Sequence, residues 1–152
     1  MGAAYFYHLT RTPLEQTLPL LLSRALQNKW RVAVRGTSAD RMAALDAALW
    51  LAAADGFLPH GLAGGAHDAD QPILLTCAPT AANNAHCLML IDGAVLDTGE
   101  LAALERACII FDGNDPVALA AARVQWKSVT EAEASAQYWS EESGNWQKKA
   151  ER

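Results

Sequence analysis

Two groups of side chains stand at spacings that can do chemistry. In LMLIDGAVLDT, Leu88 to Thr98, an apolar run leads into Asp92, Gly93, Asp97 and Thr98, a set of carboxylates and a hydroxyl of the kind that handles phosphoryl groups. Further on, Arg123, Trp126 and Lys127 stand at i, i+3 and i+4 of a predicted helix, which places a guanidinium, an indole and an ammonium on one face. That face suits a peptide end that is both acidic and apolar, because arginine pairs bidentately with a carboxylate while the ring packs against an apolar side chain. The plainer reading is a solvated face whose amphipathic Trp covers part of the fold, and the residues by themselves favour it.

The Asp92 stretch resembles the first motif of haloacid-dehalogenase-type phosphatases, with Asp92, Gly93, Asp97 and Thr98 in place. The nucleophile of that family lies two positions before the Asp-Gly pair, where covalent phosphoryl transfer needs an attacking carboxylate. Here that position is Leu90, which cannot attack phosphorus. The stretch is therefore read as a strand closing in an Asp-Gly turn, where glycine tolerates positive φ. A small phosphatase built on Asp92 and Asp97 stays as the alternative reading, and a binder using the C-terminal crevice of an open sheet as a third.

Other chemistry finds less support. The first strand-to-helix turn, HLTRTP, lacks the glycines that let a phosphate approach the backbone, and GxxxxGK[ST] is absent. The glycines of GLAGG lie in a loop not placed between a strand and a helix. His8, His60, His67 and His86 form no HExxH and have no neighbouring ligand cluster; His60 and His67 share a loop, but exposed or structurally bonded imidazoles are the expectation, with no metal and no cofactor. There is no GxSxG elbow. Cys77, Cys87 and Cys108 are odd in number without CxxC spacing, and read as buried, reduced thiols.

The elements that must position these residues follow from periodicity and punctuation. Ala3 to Leu9 alternates like a short strand. Thr12, Pro13 and Glu15 then read as a capping box with Pro at the first helical position. Leu14, Leu18, Leu21, Leu22 and Ala25 make one helical face, with Pro19 predicting a kink or a late start. Trp30 to Val34 is a second strand closed by Gly36, and Ser38 with Asp40 opens a second helix whose Met42, Leu45 and Leu49 face the sheet. Residues 54 to 72 read as a long surface loop. Ile73 to Cys77 and Cys87 to Ile91 are strands covered on both faces, joined through Asn83 and Asn84. A short helix spans Gly99 to Glu105, and Cys108 to Phe111 is the last strand. Asp115 as cap and Pro116 at the first position open a final helix to about Ala134, with Val117, Ala121 and Val124 making its core contact.

Strands alternating with helices imply right-handed crossovers and parallel pairing. The expected fold is α/β: a three-layer, Rossmann-like arrangement with a mostly parallel sheet of about five strands and no nucleotide-binding glycine motif. The 152 residues, half of them hydrophobic, fit one domain, with 135 to 152 as a C-terminal tail packed on it. A net charge of −5 disfavours direct nucleic-acid binding, which relies on Lys and Arg to neutralise phosphates. No long apolar run or signal peptide is found, so a cytoplasmic protein without a membrane partner is expected.

Four segments in order, DAALW (Asp46 to Trp50), FLPHGLAGG (Phe57 to Gly65), RVQWK (Arg123 to Lys127) and AQYWSEESGNWQKKA (Ala136 to Ala150), resemble the chi subunit of bacterial DNA polymerase III holoenzyme. The resemblance runs over nearly the whole chain. It implies a non-catalytic accessory subunit of the clamp-loader assembly that tethers it to single-stranded-DNA-binding protein, raising the loader's effective concentration at primed sites. By the same resemblance, Arg123, Trp126 and Lys127 receive the C-terminal tail of that protein. Leu119 stands where relatives carry a basic residue, with Lys127 or Arg106 as candidates to compensate. Trp50, Phe57, Pro59 and His60 are implied in contact with the psi subunit, and some chi proteins pair with a helicase through this region. Tyr138, Trp139 and Trp146 are expected to pack the tail.

Overall fold

The computed structural model describes residues 2–52, 58–79 and 82–152. Strand β1 (Ala3–Leu9) leads to helix α1 (Leu14–Gln27), β2 (Val32–Arg35) to α2 (Ala39–Ala52), and a two-residue β3 (Gly61–Leu62) to β4 (Ile73–Thr76). Then come β5 (Cys87–Leu90), β6 (Arg106–Asp112), α3 (Pro116–Glu131), β7 (Ala136–Ser140) and β8 (Gln147–Glu151). Single-turn 3-10 helices at Asp68–Asp70 and Glu100–Ala103 fill two connections. Among the described residues no helix is long and apolar enough to cross a membrane.

The strands form one sheet in the order β3-β4-β2-β5-β6-β1-β7-β8. Neighbours pair in parallel everywhere except at the β7/β8 edge. The α/β class and the mostly parallel sheet agree with the sequence reading, but among the described residues the strands number eight where about five were expected. Nor does β1 pair with β2, as it does in the 3-2-1-4-5-6 order of dinucleotide-binding folds; it lies between β6 and β7.

Each face of the sheet carries its own core. Under α1 and α2 pack Leu18, Leu22, Val34, Leu45, Leu49, Ile73 and Met89; under α3 pack Phe6, Leu88, Leu90, Ile109, Ala122 and Val129. Strands β2, β4 and β5 are buried at every residue, which is why their sequences are continuous apolar runs without alternation. The inner ends are tied by a charge: Arg35 on β2 is buried and donates to both carboxylate oxygens of Glu100, at 2.8 and 3.0 Å.

Two helix starts behave as read. Ser38 Oγ accepts the Arg41 N–H, and Asp115 Oδ1 accepts the Val117 N–H at 2.9 Å with Pro116 at the first position. The third does not. Pro13 occupies the cap of α1 without a side-chain bond, because the Thr12 hydroxyl is drawn away to Glu141 and Thr17. Pro19 lies inside α1, which begins at Leu14, so no late start occurs.

The expected core face of α3 is also corrected. Val117 and Val124 are 77% and 69% exposed, and Ala121 is exposed as well. Contact with the sheet falls to Ala118, Ala122, Gln125 and Val129, with Gln125 satisfied by the Leu96 N–H and the Ala94 carbonyl. Gln125 hid this face, since a polar residue in the row broke the apolar pattern.

The C-terminal stretch is sheet. Ala136–Ser140 adds to the free edge of β1, and Gln147–Glu151 returns antiparallel beside it. The outermost strand, QKKAE, is exposed throughout and carries charges, a composition that discourages further edge pairing. Within the stretch 54 to 72, expected as a long surface loop, the described residues contain β3 and a 3-10 turn.

Candidate partner-binding sites

Helix α3 holds the Arg123 group, but the three residues part company. Trp126 turns inward: its ring meets Phe6 edge-on at 5.2 Å and Tyr138 at 5.9 Å, so the half-buried indole roofs the core. Arg123 stays exposed and lines a hollow where the ends of β1 and β7 meet α3. Lys127 points into solvent beside Glu131, 3.9 Å away, and does not line the hollow. An exposed pair of this kind contributes little to stability.

The hollow gathers Leu119, Arg123, His8, Tyr138, Arg11 and Lys149. Its floor is a ring cluster: His8 Nδ1 bonds the Tyr138 hydroxyl at 2.8 Å, and Phe111 lies 5.2 Å from the His8 ring. Gly113 is needed beneath it, since a β-carbon there would fall 1.7 Å from the imidazole. Burial raises the Tyr138 phenol above its ordinary value, Arg123 opposes this and Glu142 adds to it, so the group remains a neutral hydroxyl. Three cations, Arg11, Arg123 and Lys149, thus border the hollow against one carboxylate, Glu142. Arg11 also donates to the Glu142 carbonyl at 3.1 Å, which fixes the guanidinium at the rim.

Neither residue named to offset Leu119 reaches this place. Lys127 faces Glu131, and the Arg106 guanidinium lies on the other face of the sheet, 4.1 Å from the Tyr5 ring centre and 5.0 Å from that of Trp30. Arg11 and Lys149 stand at the hollow instead. They come from opposite ends of the chain, and no local spacing marks them; only the parallel docking of β7 on β1 brings them together.

The second group is partly assembled. Trp50 on α2 lies over the His60 ring, with centres 4.1 Å apart at 34°, and is 51% exposed. His60 is buried under it. Its Nδ1–H donates to the Leu58 carbonyl at 2.7 Å, and Nε2 lies 3.2 Å from the Asp46 carboxylate. Pro59 is half-buried alongside, and Leu51 and Leu62 are exposed at 79% and 39%. Phe57 lies outside the described residues. An indole held flat by a fixed imidazole is a pre-ordered apolar contact, costing little entropy on association.

The remaining candidates resolve structurally. Asp92 and Gly93 form the expected turn, both at positive φ (53° and 84°), and Arg41 Nε donates to the Asp92 carboxylate at 3.0 Å. Leu90 is buried in β5, and Asp97 accepts the Gly99 N–H. Among the described residues no three His, Cys, Asp or Glu side chains group to hold a metal. At the turn after β1, the amides of Thr10, Arg11 and Thr12 are all taken by Glu141 Oε1. An internal carboxylate therefore sits where a nucleotide-binding fold would offer amides to phosphate. Cys87 and Cys108 are buried as expected, whereas Cys77, just past the end of β4, is exposed. All three are free thiols.

Comparison with protein families matches residues 1–137 to the family described as DNA polymerase III chi subunit, HolC. No curated protein matches.

Proposed function

The chain belongs to the DNA polymerase III chi subunit family, and from that premise we propose that it is a non-catalytic tether within the replication machinery. One face takes the acidic, apolar C-terminal tail of single-stranded-DNA-binding protein, and another takes the psi subunit of the clamp-loader assembly. The observation that carries this reading is the hollow beside α3: exposed Arg123, with Arg11 and Lys149, borders a floor of Leu119 and Tyr138. A terminal carboxylate meets guanidinium groups there while the apolar side chain before it rests on the floor. The acidic net charge disfavours direct contact with DNA, so the template is reached through its coating protein.

Trp126 supports the site from beneath. It holds Tyr138 and Phe6 in place, and its contribution to tail binding runs through that packing. Exposed Trp50 and Leu51, with His60 and Pro59 beside them, supply the apolar surface for psi, the kind of aromatic anchor that dominates interface energy. A helicase that uses the same surface would compete with psi.

The test is a titration of a fluorescent peptide ending in the tail sequence against the wild type and Arg123→Ala. Saturable, salt-weakened binding that falls at least about tenfold in the variant is expected, the worth of one charge-assisted contact. Equal binding by both proteins removes the site.

A further inference from the structure

The sheet face opposite α3 is only partly covered. Helix α1 packs on β2 and β6, and the flank made by β1 and β7 is left to Tyr5, Tyr7, Trp139 and Trp146. Between this aromatic flank and α1 lies a cavity of about 270 Å³, floored by Cys87, Met89 and Cys108. The floor residues are each at most 2% exposed, so the cavity reaches the core. Trp146 meets Tyr7 edge-on at 5.7 Å and closes one side.

Two cations border this apolar space, Arg24 from the last turn of α1 and Arg106 from β6. Among the described residues no carboxylate lines it and no ion pair involves either arginine. Arg106 is held by ring faces, those of Tyr5 and Trp30. In a chain of net charge −5, two guanidiniums beside an aromatic cavity without a counter-ion are a local excess of positive charge. Arg106 is half-buried and Arg24 exposed, and cations beside an apolar cavity are stabilised by an anion that brings its own apolar surface.

We propose that this cavity is a binding site for a small aromatic carboxylate, its ring among Tyr7, Trp139 and Trp146 and its carboxylate on Arg24 and Arg106. The volume admits one or two fused rings, near the lower end of ligand pockets. Ring edges and faces of the lining give the offset and edge-on contacts that aromatic guests prefer. Burial, followed by the neighbouring Cys108, raises the Tyr7 phenol well above its ordinary value, so its hydroxyl stays a donor toward the guest. The site is independent of the tail-binding hollow, which lies on the other face.

The test uses the full chain with 2-naphthoate and its neutral counterpart 2-naphthylmethanol, followed by calorimetry and by the indole N–H resonances. Naphthoate is expected to bind one to one, at least about tenfold more tightly than the alcohol, as an added charge-assisted contact implies. It should shift the signals of Trp30, Trp139 and Trp146 and leave Trp50 in place. Arg24→Gln, at an exposed position that leaves the fold intact, and Arg106→Gln should each reduce the acid's affinity without changing that of the alcohol. Bound naphthoate should slow alkylation of Cys87 and Cys108 but not of Cys77, and Arg123→Ala should bind it as the wild type does. Equal affinity for acid and alcohol, unchanged affinity in both glutamine variants, or shifts confined to Trp50 and Trp126 would overturn the assignment.

Discussion

Glu141, just past β7, reaches Thr12 at the foot of α1 and takes both its amide N–H, at 2.8 Å, and its hydroxyl, at 3.0 Å. The same carboxylate also receives the amides of Thr10 and Arg11. The residue after β7 therefore ties down the turn between β1 and α1, taking three amides that lie ahead of the helix.

Loss of this carboxylate is expected to be felt globally. Burial pushes the Glu141 acid upward, but the N–H groups of Thr12, Arg11 and Thr10 and the Thr12 hydroxyl outweigh it, and its pKa lies below the usual value. A depressed carboxylate stabilises the fold above the unfolded pKa of about 4.3 and loses that contribution as pH falls through the folded value. Glu141→Gln should cost about 2 kcal/mol in urea unfolding at neutral pH. The gap between wild type and variant should narrow on acidification, and a gap independent of pH would contradict the assignment.

Trp126 and Arg123 separate in their effects. Trp126→Ala removes a ring packed on Phe6 and Tyr138 and should destabilise the protein by about 3 kcal/mol. Trp126→Phe should retain most of the stability and most of the tail affinity. Arg123→Ala, at an exposed position, should leave the urea midpoint nearly unchanged while weakening the peptide.

The charge rim can be tested one cation at a time. Arg11→Ala and Lys149→Ala should each weaken the tail peptide several-fold and reduce the salt dependence of binding, whereas Lys127→Ala should do neither. Leu119→Lys, placing a further cation at the same hollow, should strengthen binding and steepen its salt dependence. An effect of Lys127 larger than those of Arg11 and Lys149 would move the site along the helix.

Trp50→Ala removes an exposed indole and its stacking on His60, for a stability loss of about 1 kcal/mol. Binding to psi, measured by calorimetry, should fall by much more than that, at least about a hundredfold, as for an anchor in an interface. A variant that binds psi like the wild type would place the partner elsewhere.

The buried strands, the Asp115–Pro116 start of α3 and the Asp92–Gly93 turn were legible because each depends on neighbours in the chain: continuous apolar runs, a cap beside its helix, a glycine at positive φ. Trp50, His60 and Arg123 were singled out through the resemblance of their segments to the chi family, since the spacing around Arg123 by itself favoured a plain solvated face. The strands at Ala136–Ser140 and Gln147–Glu151 were not, since AQYWS and QKKAE carry no burial pattern until β1 offers an edge.

Sequence alone determined the family, the α/β class and the position of the Arg123 helix, all of which are written in local spacing and order. Tertiary structure decided the rest. It turned Trp126 inward and Lys127 away, gave Thr12 to Glu141, and set Arg11 and Lys149 beside Arg123. Those outcomes depend on which strand docks beside β1, a pairing made between residues more than a hundred positions apart, as Ala4 with Ala136, and no local pattern encodes it.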